Sequence, residues 1–256
     1  MKIQARSHKK TNNVLIDILL KSVTANSRVL DLGCGEGYFT QLAYQSLGSF
    51  GLNAKNILSA CDLQPEYYKF DKISCTKGDF NQGLPYADNS FDYVCSIEVI
   101  EHIENQFQLI REIHRILKPG GMVMITTPNI LNINSRLSFL FRGLYSLFGM
   151  LPIEANAAEL GGHIHPVSYY YLSYMLRRNG FQDTTFRSDK TKNSAIAYLV
   201  FIFPFIALVG WRYRLRMSKK EPAIFQENRN EMRTINSLAL LTSRTVVMTA
   251  RKQEVI

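Results

Sequence analysis

The stretch "SRVLDLGCGEGYFTQLAYQSL", Ser27 to Leu47, constrains this chain more than any other. Val29 to Leu32 read as a short buried strand, and "YFTQLAYQSL" reads as the helix that follows it. Between them Gly33, Gly35 and Gly37 form a turn that must be tight and must let a ligand approach the main chain closely. The same alternation continues downstream. "NILSACDL", "ISCTKGDF" and "FDYVCSIE" read as strands, and "ENQFQLIREIHRIL" as a helix with apolar residues at helical spacing. "KPGG" breaks that helix, and "MVMITTP" is a fifth strand. A helix at "PVSYYYLSYMLRRNG" and strands at "FQDTTFRSD" and "SRTVVMTARK" complete the series. Strands alternating with helices predict a mostly parallel sheet covered on both faces.

Two carboxylates give the glycine turn its chemistry. Asp62 ends the second strand, where a carboxylate accepts hydrogen bonds from a ribose diol. Asp31 lies inside the first strand, where it suits a cationic ligand and would repel a pyrophosphate. The glycine spacing also departs from the dinucleotide fingerprint, whose third glycine comes later. In order, "VLDLGCGEGYF", "ACDLQPE", "KGDF", "LPYADNSFDYVCSIEVIEH" and "LKPGGMVMITTPN" resemble the motifs of class I S-adenosylmethionine-dependent methyltransferases. The resemblance runs from Asn26 to Phe186 and takes in the final strand. It implies a Rossmann-like fold, an α/β sheet of seven strands whose last is antiparallel, and S-adenosylmethionine as cofactor. On that resemblance Asp31, Gly33, Gly35 and Gly37 hold the methionine part, and Asp62 takes the ribose hydroxyls with Leu63 beside it. Asp79 and Phe80 border the adenine, and Ile97 lies near the cofactor.

"SIEVIEHIEN" places Glu98, Glu101 and His102 at the end of the fourth strand, the edge where open α/β sheets bind ligands. If a helical turn begins there, the three side chains share one side. Oxygen ligands favour Mg²⁺, while a histidine admits Zn²⁺ or Mn²⁺. A helix start explains the two glutamates equally well, since acidic residues there gain about 0.3–1 kcal/mol each from the dipole. "GGHIHP" adds His163 and His165 at the same edge. The E-x-x-E-H spacing resembles the metal-binding stretch of ubiquinone-biosynthesis O-methyltransferases and of small-RNA 3′-terminal 2′-O-methyltransferases. The second family adds a downstream histidine, which His165 or His163 would match. The expected metal set is therefore Glu98, Glu101, His102 and His165, with Mg²⁺ as the cation. Without metal, His102 or His165 would serve as general base.

Residues 1–256 read as a single domain with two segments outside the alternation. Residues 135–160, "SRLSFLFRGLYSLFGMLPIEANAAEL", are aromatic-rich and fall where an insertion lies over the acceptor pocket. They read as a lid and membrane contact, or as a core-packing helix. Residues 194–220 hold "AIAYLVFIFPFIALVGW", an uncharged run followed by Arg212, Arg214, Arg216, Lys219 and Lys220. A straight helix of that run would be about 25 Å long, marginal against a hydrocarbon core of about 30 Å. Pro204 interrupts it, so a bent segment lying in the membrane interface is expected, with a buried hairpin or dimer contact as the alternative.

The net charge of +9 attracts anionic partners. Four cysteines without paired metal-ligand spacing, and an N-terminus without a signal-peptide pattern, suggest a cytosolic compartment. Together these features predict a methyltransferase peripheral on the cytoplasmic face of a membrane. It would methylate an oxygen of a small-molecule or lipid-linked acceptor, such as a quinone precursor or a polyprenol-linked sugar. An RNA 2′-O-methyltransferase is less well matched, because no RNA-binding module is evident. A non-catalytic scaffold on the same fold is the third reading.

Overall fold

A computed structural model describes residues 3–5, 7–153, 162–191 and 193–254. Its centre is a seven-stranded sheet in the order β3-β2-β1-β4-β5-β7-β6. The strands are β1 (Val29–Leu32), β2 (Leu58–Asp62), β3 (Cys75–Lys77), β4 (Phe91–Ile97), β5 (Leu117–Pro128), β6 (Phe181–Ser188) and β7 (Thr245–Lys252). β1 to β5 pair in parallel, and β7 runs antiparallel between β5 and β6. The expected seven strands and antiparallel last strand are therefore present.

Alternate residues of the central strands feed two cores. Leu30, Leu32 and Val94 face one layer, which holds α4 (Gln106–Ile116) and α6 (Tyr169–Arg178). Val29, Tyr93, Cys95 and Ile97 face the other, which holds α1 (Lys9–Leu19), α2 (Tyr38–Ser49) and the short α3 (Ala54–Ile57). α4 shows why the pattern folds this way. Leu109, Ile110, Ile113 and Ile116 are all fully buried along one stripe, and Asn105 caps the first turn by accepting from the Gln108 N–H at 3.0 Å. The chain passes directly from Ile116 into β5, so "KPGG" belongs to the strand and not to a separate loop. A register shift opposite Phe91 and Tyr93 accommodates it.

The two inserted segments meet on one side. α5 (Ile133–Arg142) packs against α7 (Asn193–Lys220), and after α8 (Pro222–Glu227) and α9 (Arg229–Thr234), α10 (Leu238–Thr242) closes the group. Ile133, Ala195, Leu199 and Leu241 form its small core, edged by Leu137, Ile202, Phe203 and Ile206. The spacing from Ala195 through Leu199, Ile202, Phe203 and Ile206 is one helical stripe. α7 is a single 28-residue helix with Pro204 inside it, where a bent interfacial segment or a buried hairpin was expected. Most of its apolar side chains face outward, among them Val200, Phe201, Phe205 and Val209, which are 66–78% exposed. Ser194–Lys220 is long and apolar enough to cross a membrane, and 17% of its most apolar window is buried. Residues 154–160 of the 135–160 insertion lie outside the described residues.

Candidate functional site

Loops at the C-terminal edge of β1, β2, β3, β4 and β5 line a cavity of about 430 Å³. The glycine turn forms its floor. Gly33, Gly35 and Gly37 have φ values of 80°, 52° and 91°, which L side chains rarely adopt. A Cβ on Gly33 would stand 2.3 Å from Val99 Cγ2, so this glycine is needed for packing. A Cβ on Gly35 would meet no atom within 4 Å, and Gly35 lines the cavity, so it would project into the ligand's space. Gly37 caps α2 against the Tyr68 ring and stays outside the lining, so its part is structural.

Asp31 is 2% exposed and accepts a hydrogen bond from Thr40 Oγ1. Burial, with Asp62 nearby, pushes its carboxyl up to about 7 even though the Thr40 bond works against this. A buried carboxylate held this way favours a cationic ligand. Asp62 is fixed by two backbone donors, the Gly35 N–H at 2.8 Å and the Gln64 N–H at 3.0 Å. Leu63, Asp79, Phe80 and Ile97 line the same cavity. The open space over Gly35 and the charge at Asp31 and Asp62 fit S-adenosylmethionine, whose sulfonium and ammonium groups are cationic.

The far rim carries the glutamates and histidines. Glu98 has φ 54°, so the chain turns sharply after β4 and the E-x-x-E stretch is not one helical turn. Only Ile100–His102 form a single 3₁₀ turn. Glu98 accepts from Thr126 Oγ1 at 3.3 Å, and burial raises its carboxyl to about 7. The residues that converge are Glu101, His102 and His163, whose ligating atoms all lie within 4.8 Å of one another. Glu98 and His165, which the spacing placed in the metal set, stand outside this trio. His165 is held instead by Ile103, whose carbonyl accepts from its Nδ1 at 3.0 Å.

Glu101 is fully buried, and both its carboxylate oxygens lack a hydrogen-bond partner among the described residues. Burial, and then the nearby charge of Glu98, holds this carboxyl well above the usual range. The Thr127 hydroxyl eases that, but it does not reach hydrogen-bonding geometry and is itself unpartnered. His102 Nδ1 donates to the Gly162 carbonyl at 2.7 Å, and His163 Nδ1 donates to the Leu147 carbonyl at 2.8 Å. In a neutral His163 ring that puts the proton on Nδ1 and the lone pair on Nε2, the arrangement of a histidine that can ligate a metal. A buried carboxylate without a hydrogen-bond partner among the described residues, with two imidazoles whose ligating atoms lie within 4.8 Å of it, fits a divalent cation by its donor set.

Other residues reach the cavity from distant parts of the chain. Gln4, Ser7 and Asn12 come from the N-terminal segment and α1, Leu147 from the loop after α5, and Arg244 from the start of β7. No local sequence signal marks these, because they act through the tertiary fold alone.

A family model described as a methyltransferase domain matches residues 7–185. The chain belongs to that family. Its seven-stranded sheet has the class I methyltransferase fold. Among its relatives, a mitochondrial ubiquinone biosynthesis O-methyltransferase of Dictyostelium discoideum is 34% identical over 147 residues, 50% of this chain and 43% of that protein. A demethylmenaquinone methyltransferase of Geobacillus kaustophilus is 28% identical over 179 residues, 63% of this chain and 74% of that protein. The chain thus spans less than half the length of the first of these relatives. Among solved structures, a SAM-dependent methyltransferase from Archaeoglobus fulgidus superposes with a TM-score of 0.55 at 19% identity, covering 94% of each chain. At that identity the likeness concerns the fold.

Proposed function

We propose that this methyltransferase transfers a methyl group to a hydroxyl oxygen of an acceptor presented at a membrane surface on the cytoplasmic side. One residue carries the reading. Leu147 lines the reactive cavity, its carbonyl holds His163, and its side chain is 53% exposed. The same loop continues through Met150, Leu151 and Ile153, all exposed, and Phe139, Leu140 and Phe141 of α5 and the outward face of α7 are exposed as well. The loop that lines the cavity at Leu147 thus carries exposed apolar residues, as α5 and α7 do, and exposed apolar surface marks a membrane or partner contact. Trp211, Tyr213 and the basic run from Arg212 to Lys220 edge that surface, as interfacial anchors do. Quinone-related names among the relatives agree with a lipidic acceptor, and a lipid-linked sugar suits the same surface.

The cofactor supplies a methyl group on a sulfonium, an electrophile that needs no further activation. The chain's own work is to align the acceptor oxygen for in-line displacement and to remove its proton. Glu101, His102 and His163 would hold a divalent cation, and the chemistry it supplies is a lowered pKa for a coordinated hydroxyl. Two histidines and one carboxylate suit Zn²⁺ or Mn²⁺ better than the Mg²⁺ expected from the spacing.

Mass spectrometry of lipid and glycan extracts from cells with and without the protein tests the main claim. A lipid-extractable species lacking one O-methyl group is the expected result, and a change confined to RNA or to water-soluble metabolites would overturn it. Metal analysis before and after chelation tests the cation. Loss of bound metal and of turnover in both chelated enzyme and His163→Ala, but not in His165→Ala, is expected. Turnover that survives chelation would remove the cation and leave His102 as the base.

A further inference from the structure

Cys34 stands between Gly33 and Gly35 in the glycine turn and lines the cavity. Its Sγ lies 3.4 Å from that of Cys75, a residue 41 positions away in the chain. Strand register brings the two together. Asp31 pairs with Ala60, and Ala60 pairs with Cys75, so these three side chains share one face of the sheet. The N–H groups of Gly33 and Cys34 both donate to the Cys61 carbonyl, at 2.8 and 3.1 Å, which folds the turn over the end of β2. Cys34 thereby reaches toward β3, and the residue between the strands, Ala60, has no side-chain atom beyond Cβ to keep the sulfurs apart.

The two thiols differ in access. β3 is an edge strand and Cys75 is partly exposed on it, whereas Cys34 is buried. Their contact holds the Cys75 thiol below its usual range, and the same contact, with burial, pushes the Cys34 thiol up. The other two cysteines are placed differently. Cys61 belongs to the core on the opposite face, and Cys95 is fully buried. Ordinary core packing would account for buried cysteines such as these. It does not account for two thiols in contact across β2, one at the sheet edge and one in the cavity wall.

We propose that Cys34 and Cys75 form a site of reversible oxidation by peroxide, and that the disulfide between them impairs cofactor binding. The second half rests on the reading of this cavity as the S-adenosylmethionine site. The Cys75 thiolate attacks one oxygen of hydrogen peroxide, the O–O bond breaks, and the released hydroxide takes up the Cys75 proton as water. The Cys34 sulfur then attacks the resulting sulfenic acid, the S–O bond breaks, and hydroxide leaves with the Cys34 proton as a second water. Two electrons pass from the thiols to the peroxide. A disulfide bond is about 2 Å long, against the present 3.4 Å, so its closure draws Cys34 toward β3. Gly35 follows directly, and its N–H is one of the two donors that fix Asp62. The movement therefore reaches both the open space over Gly35 and the carboxylate of Asp62. By linkage, bound cofactor favours the dithiol by the same factor that the disulfide costs in affinity.

The full chain, reduced with dithiothreitol, is treated with hydrogen peroxide, and its disulfides are mapped by mass spectrometry of unreduced peptides. A Cys34–Cys75 linkage is expected. Affinity for S-adenosylmethionine, measured by calorimetry, should fall about tenfold or more on oxidation and return with dithiothreitol. Cys75→Ser should match the affinity of reduced wild type and keep it after peroxide, because Cys75 is not among the residues lining the cavity. In a glutathione redox buffer, saturating S-adenosylmethionine should shift wild type toward the dithiol. Absence of the linkage, a linkage that leaves affinity unchanged, or an equal loss of affinity in oxidised Cys75→Ser would overturn the proposal. Reduced wild type that fails to bind S-adenosylmethionine would overturn the cofactor reading and the coupling with it, while the peptide map alone decides whether the two thiols pair.

Discussion

Asp31 is a carboxyl group whose value burial raises to about 7, in the lining of the candidate site's cavity. Its value rises from 3.8 to about 7, and that of Glu98 from 4.5 to about 7. Between those values the native protein keeps protons that the unfolded chain has released, so native stability falls as pH rises through this range. Thermal denaturation of cofactor-free protein should show a falling Tm between about pH 4 and pH 7, less steep in Asp31→Asn. The cofactor reverses the sense for its own binding. A cation beside Asp31 favours the ionised carboxylate, so affinity should increase as pH climbs through about 7, and Asp31→Asn should cost roughly 10- to 100-fold in affinity. Titration calorimetry on both sides of neutrality checks this. Two glycines separate fold from binding. Gly33→Ala should lose about 1–3 kcal/mol of stability through the collision with Val99. Gly35→Ala should cost about 1 kcal/mol for its backbone alone and impair cofactor binding more than folding. Chemical denaturation paired with cofactor titration distinguishes them. The glycine turn, and the places of Asp31 in β1 and Asp62 at the end of β2, were legible in the sequence because a strand, a turn and a helix put them in a fixed local frame. The left-handed backbone of Glu98 was not legible, and with it the chain turns after β4 so that Glu98 lines the cavity outside the trio of Glu101, His102 and His163. The choice between His163 and His165 was not legible, since it depends on the loop carbonyls that hold each ring.

At the scale of elements, α7 decides how the protein meets its surroundings. An apolar run has the same periodicity whether it is buried or exposed, so its composition alone left both a hairpin and a surface helix open. The structure resolves this through the narrow stripe from Ala195 to Ile206, which packs on α5 and α10 and leaves Phe201 and Phe205 outside. Phe201→Asp with Phe205→Asp should abolish vesicle flotation. The same pair should change folding stability by no more than about 0.5 kcal/mol each, as exposed positions do. A large loss of stability with retained flotation would show that this face is covered by protein. The strands and main helices of the sheet were readable from alternation and periodicity. α1 was not, because its polar residues disguise a face in which Leu15 and Leu19 are fully buried.

For the whole molecule, the surplus of positive charge and the apolar face act together. Juxtamembrane basic residues are worth about 1 kcal/mol each near an anionic surface and are screened within a Debye length. Association with anionic vesicles should therefore weaken as ionic strength rises while retaining a salt-resistant remainder from α7, a dependence that a cosedimentation series would reveal.

The position of β7 has a further consequence, for the order in which the molecule is made. It pairs with β5 on one side and β6 on the other, yet it follows α7 in the chain. During synthesis the apolar helix leaves the ribosome while the sheet still lacks the strand that joins its two parts. For that interval β5 has an open edge and β6 has no neighbour, the condition in which nascent chains associate wrongly. A helix already resting on a membrane would keep the unfinished sheet away from other chains until residues 245–252 arrive and close it.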